Sequence, residues 1–170
     1  QKGPIDLGTA FSVMKIVDRK MLADSVKARH ILIPFAGATR AEPSVTASPM
    51  EAKATADSLF AYLKMNPSAF ESISEQFSSD VVAKTKGGDL GYFSRGAMAR
   101  PFENFCYLGK EGDLGLVPTQ FGFHIIEIVD QKGANEAFKV GQIIRQISPS
   151  DETIQLLYGQ ASTYAAAAQS

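Results

Sequence analysis

Cysteine is nearly absent from this sequence: the 170 residues hold one, Cys106. No internal disulfide can form, and the common Cys-rich zinc sites are excluded. An excess of basic charge is missing too. Lys and Arg total 17 against 18 Asp and Glu, a net charge of -1. That removes the electrostatic footing for nucleic acid or an anionic membrane surface. No apolar run approaches the roughly 18 residues that span a bilayer, so no nucleic-acid partner and no direct membrane contact is expected from this segment. The chain opens on Gln1 rather than Met. It reads as a piece of something longer, whose signal peptide or anchor would lie outside this window.

What is present is ordinary for a globular protein: 45% hydrophobic and 21% charged residues, enough for one domain with attached pieces. Strands are expected over Ala10–Val17 and Val26–Ile33, the second alternating Ala28, His30 and Leu32 against Arg29, Ile31 and Ile33. After a loop over 36–48, Ser48-Pro49-Met50-Glu51 is a capping box with Pro at the first helical position. Its helix carries Ala52, Ala56, Leu59, Phe60 and Leu63 at helical spacing. Ser68-Ala69-Phe70-Glu71 reads as a second capping box, opening a helix with Phe70, Ile73 and Phe77 on one stripe and ending at Ser78-Ser79-Asp80. A short strand over Leu90–Phe93, a short helix from Pro101, a turn and strand over Gly112–Thr119 and an apolar strand over Phe123–Val129 follow. This order predicts an α+β fold with a small antiparallel sheet wrapped by helices. Phe138–Ile147 reads as a further strand. A helix from Ser150 into Ala165–Ala168 has few large apolar residues and is expected to pack on something outside this segment or to fray.

There is one internal echo. Residues 3–20 lie over residues 115–132 without a gap, so that Phe11, Val17, Asp18 and Lys20 fall on Phe123, Val129, Asp130 and Lys132, and Ser12 on His124. Two accounts fit: chance likeness of apolar strands, or a truncated, histidine-free tail of a preceding related repeat.

Only two histidines exist, His30 and His124, each in an apolar strand. If those strands pair, the imidazoles can meet across the sheet. With Asp80 or Asp89 they would make a facial triad, but the short His spacings of metal sites are absent, and no metal or other cofactor is expected. No Gly-x-Ser-x-Gly elbow occurs. Gly87-Gly88-Asp89-Leu90-Gly91 lacks the Lys and Ser/Thr of a phosphate loop. Cys106, between aromatics in a short helix, suits a buried inert thiol.

Taken in order, the blocks Lys27-Ala-Arg-His30-Ile-Leu, Phe77-Ser-Ser-Asp80, Gly87-Gly-Asp-Leu-Gly-Tyr-Phe93, Gly96-Ala-Met98-Ala-Arg-Pro-Phe102-Glu103, Gly112-Asp-Leu-Gly-Leu-Val117 and Thr119-Gln-Phe-Gly-Phe-His124-Ile-Ile126 resemble the parvulin-type peptidyl-prolyl cis-trans isomerase (rotamase) domain. The resemblance implies a parvulin-like fold over 25–132 and rotation of X–Pro bonds in unfolded or partly folded polypeptides, with no covalent step and no cofactor. It implies His30 and His124 as the paired central histidines, Asp80 as the acid beside them and Thr119 as the hydroxyl orienting a histidine. It implies Leu90, Met98 and Phe102 as the proline pocket, Phe121 at its rim and Ile126 supporting its floor. Phosphate-directed specificity is not expected, since the loop from Pro34 to Ser48 holds one basic residue, Arg40; an apolar residue before the proline is. The flanks, 1–24 and 133–170, resemble the chaperone body of multi-module bacterial folding factors of the SurA and PpiD type. That likeness implies a periplasmic location and a parent tethered to the inner membrane. The alternative function is a non-catalytic peptide-binding module of a chaperone using the same groove.

Overall fold

A computed structural model describes residues 2–167, with the side chains of residues 4–163; Ala168 of the expected C-terminal helix lies outside the described residues. The elements are β1 (Lys2–Asp6), β2 (Ala10–Leu22), β3 (Ser25–Ile33), α1 (Pro49–Met65), α2 (Phe70–Phe77), α3 (Val81–Lys84), β4 (Asp89–Ser94), α4 (Arg100–Leu108), β5 (Leu114–Thr119), β6 (Gly122–Lys132), β7 (Asn135–Gln146) and α5 (Asp151–Ala167). They fall into two units, one containing Met21–Glu136 and the other residues 2–20 with 137–167.

The unit Met21–Glu136 is a four-stranded sheet in the order β4-β3-β6-β5, with every pair antiparallel. The period-2 alternation of β3 decides which helix covers which face. Val26 and Ala28 pack with Phe102, Cys106, Ile126 and Ile128 under α4. Ile31 and Ile33 pack with Ala52, Ala56, Leu63, Phe70 and Ile125 under α1 and α2. Each fully buried Ile or Leu contributes about 1.5–3 kcal/mol relative to exposure. The helix α1 starts as its sequence requires: the Ser48 hydroxyl accepts from the Glu51 N–H at 3.3 Å, and the Glu51 carboxylate accepts from the Ser48 N–H at 2.8 Å. At the end of α4, the Gln131 side-chain amide donates to the carbonyls of Cys106 (2.9 Å) and Gly109 (3.2 Å), satisfying groups a helix terminus leaves open.

The second expected capping box does not form. Pro67–Ala69 makes one 3-10 turn, and α2 begins at Phe70 behind Ala69, which has no side chain able to cap. Pro67 sets that turn one step ahead of Ser68. Phe77 leaves the expected stripe and is 44% exposed, while Phe70 is buried. The sequence does not announce the single-turn α3, because Ser78-Ser79-Asp80 signals both the end of α2 and the start of α3.

In the other unit, β1, β2 and β7 form one sheet in the order β1-β2-β7. The edge strand β1 was not anticipated; it contains Gly3 and Pro4, and an edge is where a sheet tolerates proline. The strand β2 extends to Leu22, beyond the expected Val17. The described side chains of α5 are exposed.

Candidate active site

The chemistry gathers on the α4 face of the four-stranded sheet. His30 stands on β3 and His124 on β6. They are not directly opposed: His30 faces Ile126, and His124 faces Leu32. The diagonal still lies within reach of two imidazoles. Their Nδ1 atoms are 3.1 Å apart, and the rings stack with centroids at 5.3 Å and 16° between planes. Phe102, from α4, sets its ring against both, at 5.7 Å and 80° from His30 and 5.4 Å and 84° from His124.

The end of β3 itself brings up the acid. The N–H of Leu32 donates to the Ser78 hydroxyl (3.1 Å), and the N–H of Ser79 donates to the Leu32 carbonyl (2.9 Å). Asp80 then caps α3: Oδ1 accepts from the N–H groups of Val82 and Ala83, both at 3.1 Å, leaving Oδ2 3.0 Å from His30 Nε2. On the far side, Thr119 Oγ1 accepts from the Phe121 N–H at 3.1 Å and lies 2.8 Å from His124 Nε2. A carboxylate only accepts, so His30 Nε2 must carry a proton. With that ring neutral, His30 Nδ1 accepts from His124 Nδ1–H, and His124 Nε2 accepts from the Thr119 hydroxyl. One directed chain runs from the Phe121 amide to Asp80 with every member satisfied.

The electrostatics agree with this chain. The hydrogen bond from His30 holds the Asp80 carboxyl at about 2, against an opposing cost of burial, with the Ala83 and Val82 amides assisting. Burial first, and His30 second, push His124 down to about 3, so its ring stays neutral. Both shifts act in the same direction on folding. Between about pH 6.5 and 3 the unfolded chain takes up a proton on His124 that the fold refuses. The Asp80 contribution is present above its ordinary value and is lost as pH falls through about 2. Stability therefore declines on acidification below about 6.5. The urea midpoint is expected to be lower at pH 4.5 than at pH 7, and the ring nitrogen shifts of His124 to stay those of a neutral imidazole at pH 5. A His124 that titrates near its ordinary value would contradict the directed chain.

The chain of side chains borders a cavity of about 940 Å³. His30, Asp80, Leu90, Met98, Phe102, Phe121 and His124 line it. Thr119 is not on its wall and acts from behind His124. Ile126 is not on the wall either: it is fully buried in the core with Phe102 and Cys106, so it underlies the site and is removed from any contact with a ligand. Arg40 is at the cavity, its guanidinium carbon 5.9 Å from the Phe121 ring centre, and Lys84 joins it on the lining. Burial, aided by the Glu103 charge, pushes the Cys106 thiol up to about 12, which keeps it inert. Among the described residues no group of three or more His, Cys, Asp or Glu side chains could hold a metal ion.

Two supporting residues escaped the sequence reading. Ser78 ties the acid to the strand bearing His30. Glu103, buried at 8% exposure, reaches back from α4 to accept from the Met98 N–H at 3.0 Å, fixing the pocket wall behind Met98. Its signal in the sequence was an acid one residue after a pocket phenylalanine, which by itself reads as an exposed helix position.

Residues 11–132 match the family model described as the PPIC-type PPIASE domain. Among curated relatives, "Foldase protein PrsA 1" of Bacillus cereus is 45% identical over 65 residues, 38% of this chain and 23% of the relative. "Chaperone SurA" of Sodalis glossinidius is 29% identical over 136 residues, 76% of this chain and 30% of the relative. The chain thus spans a third or less of each. The crystal structure of peptidylprolyl isomerase PrsA from Bacillus anthracis is 30% identical, with a TM-score of 0.52 over 66% of this chain and 44% of that one. With the family match covering most of its length, the chain belongs to the parvulin family of PPIC-type peptidyl-prolyl isomerase domains.

Proposed function

We propose that residues 21–136 catalyse rotation about X–Pro bonds of unfolded or partly folded polypeptides. The observation that carries this reading is one cavity uniting an apolar cup, Leu90, Met98 and Phe102, with the hydrogen-bonded row Asp80, His30 and His124, which Thr119 backs from behind the wall. Amide resonance sets a rotation barrier of roughly 18–20 kcal/mol. Lowering it requires a site that binds the twisted amide better than either planar form. The cup grips the pyrrolidine ring while the preceding carbonyl turns. Apolar walls favour the twisted amide, which is less polar than the resonance form. Asp80 faces the turning carbonyl and biases it away from resonance. The histidines hold the shape and charge of the site through their fixed tautomers and form no bond to the client. Phe121 borders the residue before the proline, for which we propose an apolar side chain.

Residues 1–24 and 133–170 we assign to a non-catalytic, chaperone-like part of a larger folding factor, supported by the likeness to Chaperone SurA, whose 136 matched residues exceed the length of the rotamase unit. We place that factor outside the cytoplasm, in the periplasm, with a tether to the inner membrane supplied by the parent chain. Among the described residues no helix is long and apolar enough to cross a membrane.

A protease-coupled isomerisation assay on short X–Pro peptides tests the proposal. Asp80→Ala is expected to lower kcat/KM about 10–100-fold, as loss of a preorganised electrostatic group does, and Met98→Ala about 10-fold through the thinned pocket. Wild-type activity at the uncatalysed level, with peptide binding intact, would make the domain a binding module instead.

A further inference from the structure

We infer that the unit built from residues 2–20 and 137–167 is a second, circularly permuted copy of the rotamase sheet, disarmed at its centre, where Ser12 and Gln142 occupy the places of His124 and His30. The argument begins with spacing. The echo of residues 3–20 in 115–132 has an offset of 112 positions, the distance from Ser12 to His124. The same offset carries β3 onto β7: Val26, Lys27, His30, Ile31 and Leu32 fall on Phe138, Lys139, Gln142, Ile143 and Ile144. Two strands that are far apart in the chain share one displacement, which chance likeness of apolar runs does not require.

Pairing repeats with the same offset. In the complete unit Val117 faces His124 and Pro118 faces Phe123; in the other, Ile5 faces Ser12 and Asp6 faces Phe11. The order β5-β6-β3 of the one sheet becomes β1-β2-β7 in the other. Where Arg29 faces Glu127, a Cβ on Gly141 would lie 3.8 Å from the Lys15 carbonyl. Where Val26 faces Gln131, the Arg19 guanidinium carbon lies 5.3 Å from the Phe138 ring centre. Most telling, at the place of the 3.1 Å imidazole contact the Gln142 side-chain amide donates to the Ser12 hydroxyl at 2.8 Å. Ser12 is fully buried, as His124 nearly is. Each β3-type strand also leads to a helix with a serine cap: Ser48 for α1, and Ser150, whose hydroxyl accepts from the Thr153 N–H, for α5.

The second copy keeps the strand order and loses the histidine pair. An amide and a hydroxyl replace the imidazoles, so the centre of this sheet holds no histidine pair. We therefore assign isomerase turnover to Met21–Glu136, the unit that carries the histidine pair. This last step rests on the function proposed above; the equivalence of the two sheets does not.

Cysteine trapping reads the register without reference to activity. Ala28 faces Ile128, so the offset sets Val140 opposite Ile16. Both are about half exposed, at 48% and 46%, and the one native thiol, Cys106, is fully buried. The doubly substituted chain Ile16→Cys with Val140→Cys is expected to lose two thiols and form an internal disulfide on mild oxidation by diamide. The pair Val17→Cys with Val140→Cys, one residue out of register and on opposite faces, is expected to stay reduced. In the coupled assay, Ser12→Ala with Gln142→Ala is expected to leave kcat/KM within about two-fold of wild type. Trapping of the out-of-register pair alone would overturn the equivalence, and a ten-fold loss from the Ser12 and Gln142 changes would overturn the assignment of turnover. A wild-type chain without activity would sink the proposed function and leave the trapping result standing.

Discussion

His124→Ala is expected to damage fold and function together. The ring it deletes is buried, stacked on His30 and edged by Phe102. Its loss leaves a void between those rings and strips the Thr119 hydroxyl and His30 Nδ1 of their partners. Truncating a large core side chain and abandoning buried polar groups add up to about 3–5 kcal/mol, a large part of the stability of a small domain. In the folded fraction nothing then fixes the His30 tautomer from the Thr119 side, so Asp80 faces a ring free to turn. We expect kcat/KM to drop at least about 10-fold. Urea denaturation and the coupled assay measure the two losses separately. Thr119→Val is the companion variant: nearly isosteric, it removes the hydroxyl that His124 Nε2 accepts from, and is expected to lower activity with a smaller loss of stability. A His124→Ala protein that folds and keeps full activity would remove the histidine pair from the site.

How far the site could be read in advance differs from residue to residue, for physical reasons. His30 and His124 were legible because a polar ring within an apolar strand demands a partner, and each was the other's only imidazole. Their diagonal placement was not, because register depends on the irregularity between Lys27 and Ala28 in the β3–β6 pairing, which no local pattern announces. Asp80 was found through its motif, but its second task as cap of α3 was hidden because the same three residues close α2. Ser68 looked like a cap and is none, since Pro67 had already begun a 3-10 turn. Glu103 belongs to the motif around Met98 and Phe102, but its reach back to the Met98 amide depends on the bend before α4. The strands β3 and β6 were foreseen, being long and periodic, whereas β1 carries Gly3 and Pro4 and is recognisable only beside β2.

Gly122→Ala is expected to be more disruptive than its size suggests. Gly122 closes the β5–β6 hairpin opposite Thr119 and lies two residues from His124. Its φ is +139°, and a Cβ there would come within 2.4 Å of the Ile33 carbonyl oxygen and 2.8 Å of the Pro34 Cα. Both neighbours are backbone, at the end of the strand that carries His30, so no side chain can swing aside. Backbone strain at a position reserved for glycine costs about 1–3 kcal/mol, and forcing a methyl into packed structure a similar amount again. Gly112→Ala separates the two contributions. Gly112 also has a positive φ, +85°, but a Cβ there would meet nothing within 4 Å, so only the strain should appear. We expect the urea midpoint of Gly122→Ala to fall well below that of Gly112→Ala. Activity per folded molecule should fall in Gly122→Ala alone, because Thr119, Phe121 and His124 all hang on this turn. Equal losses in the two variants would mean that the hairpin yields to the methyl, and that the close approach of β6 to the end of β3 does not hold the site in place.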